Sequence, residues 1–136
     1  MSKLEEFLMQ NELNTEETME VKVSDRFPLP FKIRAISEAE NKAIKKSCQT
    51  ITFDKRTHQK VIDTNYDLYL TRLVIACCIE PNFKNADLQA KFGVMGAEAL
   101  VDKLLRPGEY NQLLEAVQKI NGFDTDINTL VEEAKN

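Results

Sequence analysis

The chain has 136 residues, 43% hydrophobic and 29% charged, which is enough for one buried core and too little for several. Its formal net charge of -4 offers no broad basic surface to a phosphate backbone, and no apolar run approaches the ~20 residues that cross a bilayer. Nucleic acid and membrane are therefore set aside as main partners. Glu5 and Glu6 stand where a secretory signal would carry basic and then apolar residues, so the expected compartment is the cytoplasm. Cys48, Cys77 and Cys78 are odd in number, and two are neighbours, so they read as reduced packing thiols rather than a disulfide framework.

Leu4, Phe7 and Leu8 fall at helical spacing, with Glu5 and Glu6 on the other side, and predict a short amphipathic helix. The polar stretch 11–20 after it reads as a linker, so residues 1–18 form a semi-independent lead-in to a single domain over 19–123. Met19, Val21 and Val23 alternate with polar residues, as do Phe31, Ile33 and Ala35 beyond a turn holding Pro28 and Pro30, which predicts an antiparallel hairpin with one dry face. Ser37 and Glu40 have capping-box spacing, predicting a helix to about Cys48. Only Ala39, Ala43, Ile44 and Cys48 can face inward there, a thin face suited to packing over the edge of the small sheet. Runs at 50–53 and 60–62 flank the polar DKRTHQ and predict a second, more exposed hairpin.

The stretch 63–81, DTNYDLYLTRLVIACCIEP, is the expected spine. Tyr66, Tyr69, Leu70, Leu73, Val74 and Cys77 line one helical face, and Ala76, Cys78 and Ile79 widen it, so contacts from more than one side are expected. Thr64 with Asp67 forms a shortened capping box, and Pro81 disfavours helix at Glu80. Ala86, Leu88 and Phe92 predict a short helix closed by Gly93, and Ala97, Leu100, Val101, Leu104 and Leu105 predict another. Pro107 opens a third, with Glu109 in its first turn and Tyr110, Leu113, Leu114, Val117 and Ile120 as its stripe; Gly122 closes it and Phe123 folds back. Asp124 or Thr125 caps a short terminal helix over 124–136 bearing Ile127, Leu130 and Val131, which is loosely docked. The expected fold is α+β, mainly α: a small antiparallel β-hairpin region in the N-terminal half, then a compact bundle of about five helices.

Reactive constellations are absent from this pattern. His58 sits in a polar turn with no cysteine or second histidine at ligand spacing. Asp124, Asp126 and Asn128 open like a calcium loop, but Thr129 stands where glycine is required and Lys135 where a glutamate must bind. Gly93 and Gly96 lack a phosphate-loop context, no serine sits in a nucleophile elbow, and Glu132 and Glu133 read as a solvated face. No catalytic, cofactor-binding or metal-ligating residue is assigned, and the chain is read as a non-enzyme. The apolar stripes nearest the termini, Leu4, Phe7 and Leu8 at one end and Ile127, Leu130 and Val131 at the other, have little neighbouring sequence to bury them and are the candidate partner-binding residues.

The second half carries an ordered pattern: Glu80-Pro81, then 87–89 as D-L-Q, Gly93, the stretch 105–109 ending in G-E, and Gly122-Phe123. This order and spacing resembles the XkdN-like tail assembly chaperones of long-tailed bacteriophages and prophages, over roughly 31–123. The resemblance implies a non-enzymatic role without cofactors in the bacterial host cytoplasm, binding the tape-measure protein, keeping it soluble and assisting tail-tube polymerisation, with absence from the mature virion. It also implies the tail tube protein and a frameshifted longer form of the same product as partners, and the polar end EEAKN is compatible with such an extension. A homo-oligomer is compatible as well. Two other readings compete. A structural tail component retained in the particle would use the hairpins to add strands to a neighbour's edge. A small DNA-binding regulator would use Lys42, Lys45 and Lys46.

Overall fold

The alternation at 19–23 and 31–35 is realised as an antiparallel pair, β1 (Thr18–Val21) and β2 (Phe31–Arg34), with Met19 opposite Ile33 and Val21 opposite Phe31. Phe31 and Ile33 are buried, and so is Val23 just beyond β1. The structure, a computed structural model, describes residues 1–13 and 17–123. The expected terminal helix with Ile127, Leu130 and Val131, the carboxylates at 124 and 126, and Glu132 and Glu133 lie outside the described residues.

The spine is α3 (Tyr66–Cys77), which buries Tyr69, Leu70, Leu73, Val74, Ile75 and Cys77. Tyr66 is only half-buried, and Ile75 joins the core from outside the expected stripe. The helix stops at Cys77 instead of continuing toward Glu80. Residues Cys78–Glu80 form a further strand, β5, on the free edge of β2, with Ile33 opposite Cys78 and Lys32 opposite Glu80. Two causes act together: Pro81 disfavours helical geometry at the residue before it, and the open edge of β2 supplies partners for backbone groups that must be satisfied. The first sheet therefore has the order β1-β2-β5 and ties the N-terminal hairpin to the helical body.

The second hairpin, β3 (Gln49–Phe53) and β4 (Lys60–Thr64), forms a separate two-stranded sheet. Thr64 is committed to β4 opposite Gln49, so the cap of α3 falls to Asn65, whose side-chain oxygen accepts from the Leu68 amide at 3.1 Å. This replaces the expected Thr64–Asp67 box. In α2 (Glu38–Ser47), Ser37 accepts from the Glu40 amide at 3.2 Å as predicted, but the Glu40 carboxylate turns to Arg34 at 2.9 Å and does not close the box. The main contact of α2 is with a helix, while the Glu40–Arg34 pair links its first turn to β2. The helix packs on α3, with Cys48 buried, Ile44 half-buried and Ala39 and Ala43 exposed, and Asn41 accepts from the Tyr69 hydroxyl.

The remaining helices are α4 (Ala86–Lys91), α5 (Ala97–Leu104) and α6 (Pro107–Ile120). Together with α1 (Lys3–Gln10) they bring the described residues to six helices and two small antiparallel sheets, a mixed α+β fold. Leu100 and Val101 of α5 and Leu113, Leu114 and Val117 of α6 close on α3, which is contacted by α2, α5 and α6, as the width of its stripe requires. Pro107 occupies the start of α6, and at its end the Phe123 amide donates to the Gln118 carbonyl at 3.1 Å with Gly122 at φ 78°, the predicted left-handed closure. Asn121 joins this end to the exit of β2, accepting from the Ile36 amide at 2.9 Å and donating to the Val117 carbonyl at 2.8 Å.

Gly93 gives the same closure to α4 at φ 68°, and a Cβ there would meet nothing within 4 Å. Gly93→Ala is therefore expected to cost only the backbone penalty of a left-handed L-residue, about 1–2 kcal/mol, read as a lower denaturation midpoint with an unchanged m-value.

Candidate partner-binding surfaces

Glu109, placed by its sequence in the first turn of α6, is 5% exposed. Its carboxylate accepts from the Arg106 amide at 2.7 Å, from Arg26 Nε at 2.9 Å, from a second Arg26 nitrogen and from the Ser24 hydroxyl. Arg26 also donates to the Leu104 carbonyl at 2.8 Å. The hydrogen bonds from Arg26, aided by those from Ser24 and Arg106, outweigh desolvation and hold the Glu109 pKa down to about 2. The cluster anchors the β1–β2 connection to the α5–α6 corner and presents Phe27, Pro28, Leu29 and Pro30 beside it. Phe27 lies edge-on to Phe31 at 5.0 Å, with the Arg26 guanidinium 5.0 Å from its ring centre.

An apolar cleft of about 390 Å³ results, walled by Phe27, Leu29, Pro81, Leu88, Phe92 and Leu104. Leu29 is 77% exposed at its rim. No sequence period marks this loop, which is positioned by contacts made some eighty residues away, between Ser24 or Arg26 and Glu109.

A second uncovered surface is α1. Its capping box is complete: the Glu5 amide donates to Ser2 Oγ at 3.1 Å, and the Ser2 amide donates to Glu5 Oε1 at 3.4 Å. The helix buries none of its residues; Leu4 is 66% exposed, and Phe7 and Leu8 are 47% exposed each. The three candidate residues at this end are thus together on one uncovered stripe, whereas Ile127, Leu130 and Val131 lie outside the described residues.

The third surface is the β3–β4 sheet. Its register sets Ile51 opposite Ile62 and Phe53 opposite Lys60, so Ile51, Phe53 and Ile62 share one face. All three are exposed, Phe53 at 68%. The turn is held locally: Asp54 accepts from the Arg56 and Thr57 amides at 2.7 and 3.1 Å, which lowers its pKa, and His58 adopts φ 58°. His58 is exposed in this turn, as its sequence setting predicts. The sequence predicts this hairpin as the more exposed of the two, and its apolar face is uncovered.

Among the described residues no group of three or more His, Cys, Asp or Glu is placed to hold a metal ion, and no helix is long and apolar enough to cross a membrane. Cys48, Cys77 and Cys78 are free and buried, and burial pushes the Cys78 thiol up to about 12 and raises that of Cys77. What the geometry offers among the described residues is uncovered apolar contact surface.

Comparison with known proteins gives one consistent result. The family model for the phage XkdN-like tail assembly chaperone protein matches residues 4–135. The phage-like element PBSX protein XkdN of Bacillus subtilis (strain 168) is 27% identical over 96% of this chain and 92% of its own length. The uncharacterized protein YqbN of the same strain is 27% identical over 96% of this chain and 91% of its own. The fold is similar to the crystal structure of the protein YqbN, with a TM-score of 0.72 at 22% identity, covering 91% of this chain and 99% of that one.

Proposed function

Because this chain belongs to the phage XkdN-like tail assembly chaperone family, we propose that it binds the tape-measure protein, keeps that protein soluble and assists polymerisation of the tail tube around it. It does so in the host cytoplasm and is absent from the mature virion. The tail tube protein, and a frameshifted longer form of this chain, are the further partners of the same reading. No catalytic step is part of it.

The observation that carries the proposal is the uncovered apolar area on a domain whose core is otherwise complete: the α1 stripe of Leu4, Phe7 and Leu8, and the cleft beside Leu29. An amphipathic client helix that places apolar residues three and four apart would bury both itself and such a surface. Ile127, Leu130 and Val131 extend the proposed contact at the other end of the chain.

Co-expression with the tape-measure protein of the same genome tests this. The expected result is a soluble complex, recovered by affinity capture, that the triple substitution Leu4→Asp, Phe7→Asp, Leu8→Asp weakens by at least about tenfold, the loss for removing one or more buried large apolar side chains. An insoluble tape-measure protein with no captured complex would sink the reading. Mass spectrometry of purified particles separates it from a retained structural role, since a chaperone is missing from them.

A further inference from the structure

We propose, resting on the client-binding reading just given, that Arg26 and Glu109 are positioning residues: they hold the 24–30 connection as a ready-made wall of the cleft beside Leu29, against which a helix of the client docks. Left to itself this connection has little to fix it. The Phe27 amide donates to the Ser24 carbonyl and the Arg26 amide to Ser24 Oγ, both at 3.3 Å, but these bonds lie within the turn and do not tie it to the body. Pro28 and Pro30 have no amide to donate. Beyond the edge-on contact of Phe27 with Phe31, the tie is the Arg26 guanidinium. Its Nε donates to one Glu109 oxygen at 2.9 Å, and a terminal nitrogen donates to the other and to the Leu104 carbonyl at 2.8 Å, while the Ser24 hydroxyl donates to the same carboxylate. Leu104 is itself a wall of the cleft, so one guanidinium sets the spacing between two walls.

Stability alone does not call for this arrangement. Glu109 is 5% exposed, and a buried ion pair generally stabilises a fold no better than well-packed apolar side chains of the same volume. What a planar guanidinium adds is a single geometry, because its donor directions are fixed. A wall already standing in its bound position spares the partner the entropy of ordering the loop, and affinity rises accordingly. The wall also selects the conformation of what docks there. With no amide at Pro28 or Pro30, its exposed side offers little for an extended strand to pair with. A helix has its own backbone satisfied and needs only apolar side chains on one face. The occupant is therefore an amphipathic helix of the tape-measure protein, its apolar residues three and four apart entering between Leu29, Leu88 and Phe92.

The test uses the full chain carrying Arg26→Met with Glu109→Gln, which removes both charges together, strands neither, and keeps an amide oxygen for the Ser24 hydroxyl and the Arg106 amide. Backbone order parameters at residues 25, 26, 27 and 29 are expected to drop from about 0.85, the value of a rigid segment, to below about 0.6, while those of α3 and α6 stay as they are. Capture of the co-expressed tape-measure protein is expected to fall by about tenfold. Arg26→Lys, which keeps the charge and loses the fork, is the milder second variant and is expected to loosen the loop and lower capture by several-fold less. A loop that stays rigid in both variants, or a loosened loop with undiminished capture, overturns the proposal alone. A wild-type chain that captures no tape-measure protein overturns the client-binding reading and the proposal with it.

Discussion

Phe83→Ala is expected to destabilise the chain by about 3–5 kcal/mol, the range for emptying a fully buried aromatic site. Phe83 is 0% exposed although it lies in the short connection between β5 and α4. Its carbonyl accepts from Gln89 Nε2 at 2.9 Å, which fixes the backbone on which the ring is carried. The surrounding elements are held by their own strand pairing and helix caps, so they have little freedom to collapse into the space left behind. Against a total stability of about 5–15 kcal/mol for a domain of this kind, such a loss removes a large share. Urea unfolding followed by circular dichroism measures it. The contrasting substitution is Phe53→Ala, at a position 68% exposed, which is expected to stay within about 0.5 kcal/mol. A Phe83→Ala loss below about 1 kcal/mol would contradict the burial on which the core assignment stands.

Glu109→Gln is the second substitution of large effect, and its signature is in the pH dependence. With the folded pKa near 2 and the ordinary glutamate value at 4.5, the unfolded chain binds a proton at this group before the folded chain does as pH falls. Stability from Glu109 is therefore complete above pH 4.5, declines as the pH drops below it, and is lost as the pH passes about 2. The wild-type chain should lose stability across that window, while Glu109→Gln, with no carboxylate to titrate there, should show a shallower slope. At neutral pH the variant should be less stable, because Arg26 loses its ionic partner and Ser24 and the Arg106 amide lose their charged acceptor. The gap between the two proteins is expected to narrow toward pH 2. Denaturant titrations at a series of pH values measure this, and parallel curves for the two proteins would remove Glu109 from its assigned role.

These two residues also mark where sequence reasoning stops. Leu113, Leu114 and Val117 announce α6 by their spacing, and Pro107 and Gly122 bracket it, because a helix is encoded by residues close to one another in the chain. Glu109 is legible in the same local way as a first-turn carboxylate, but its partners Ser24 and Arg26 come from the far side of the sequence and leave no periodic trace. Phe83 is lone and aperiodic, so nothing nearby signals its burial. The run Ile75 to Ile79 is apolar whether it continues a helix or begins a strand, and only the free edge of β2 decides the matter. In the same way Thr64 and Asn65 are both good caps, and the pairing of Thr64 with Gln49 leaves the position to Asn65. Of the surfaces, α1 is legible as an amphipathic stripe, and the β3–β4 strands as alternation. The cleft beside Leu29 is assembled from the β1–β2 connection, β5 and the helices α4 and α5, which share no motif.

The pairing of β5 with β2 has a consequence for how the chain can be made. Val23, Phe31 and Ile33 are synthesised early, yet they are enclosed only when Cys78–Glu80 has been added beside β2 and α6 has closed over the sheet. A nascent chain emerging from the ribosome therefore carries an open, sticky strand pair until β5 and α6 have followed it, and a cut between β2 and β5 leaves that pair without its third strand. Enclosure of the first hairpin thus waits on residues that follow it by some fifty to ninety positions.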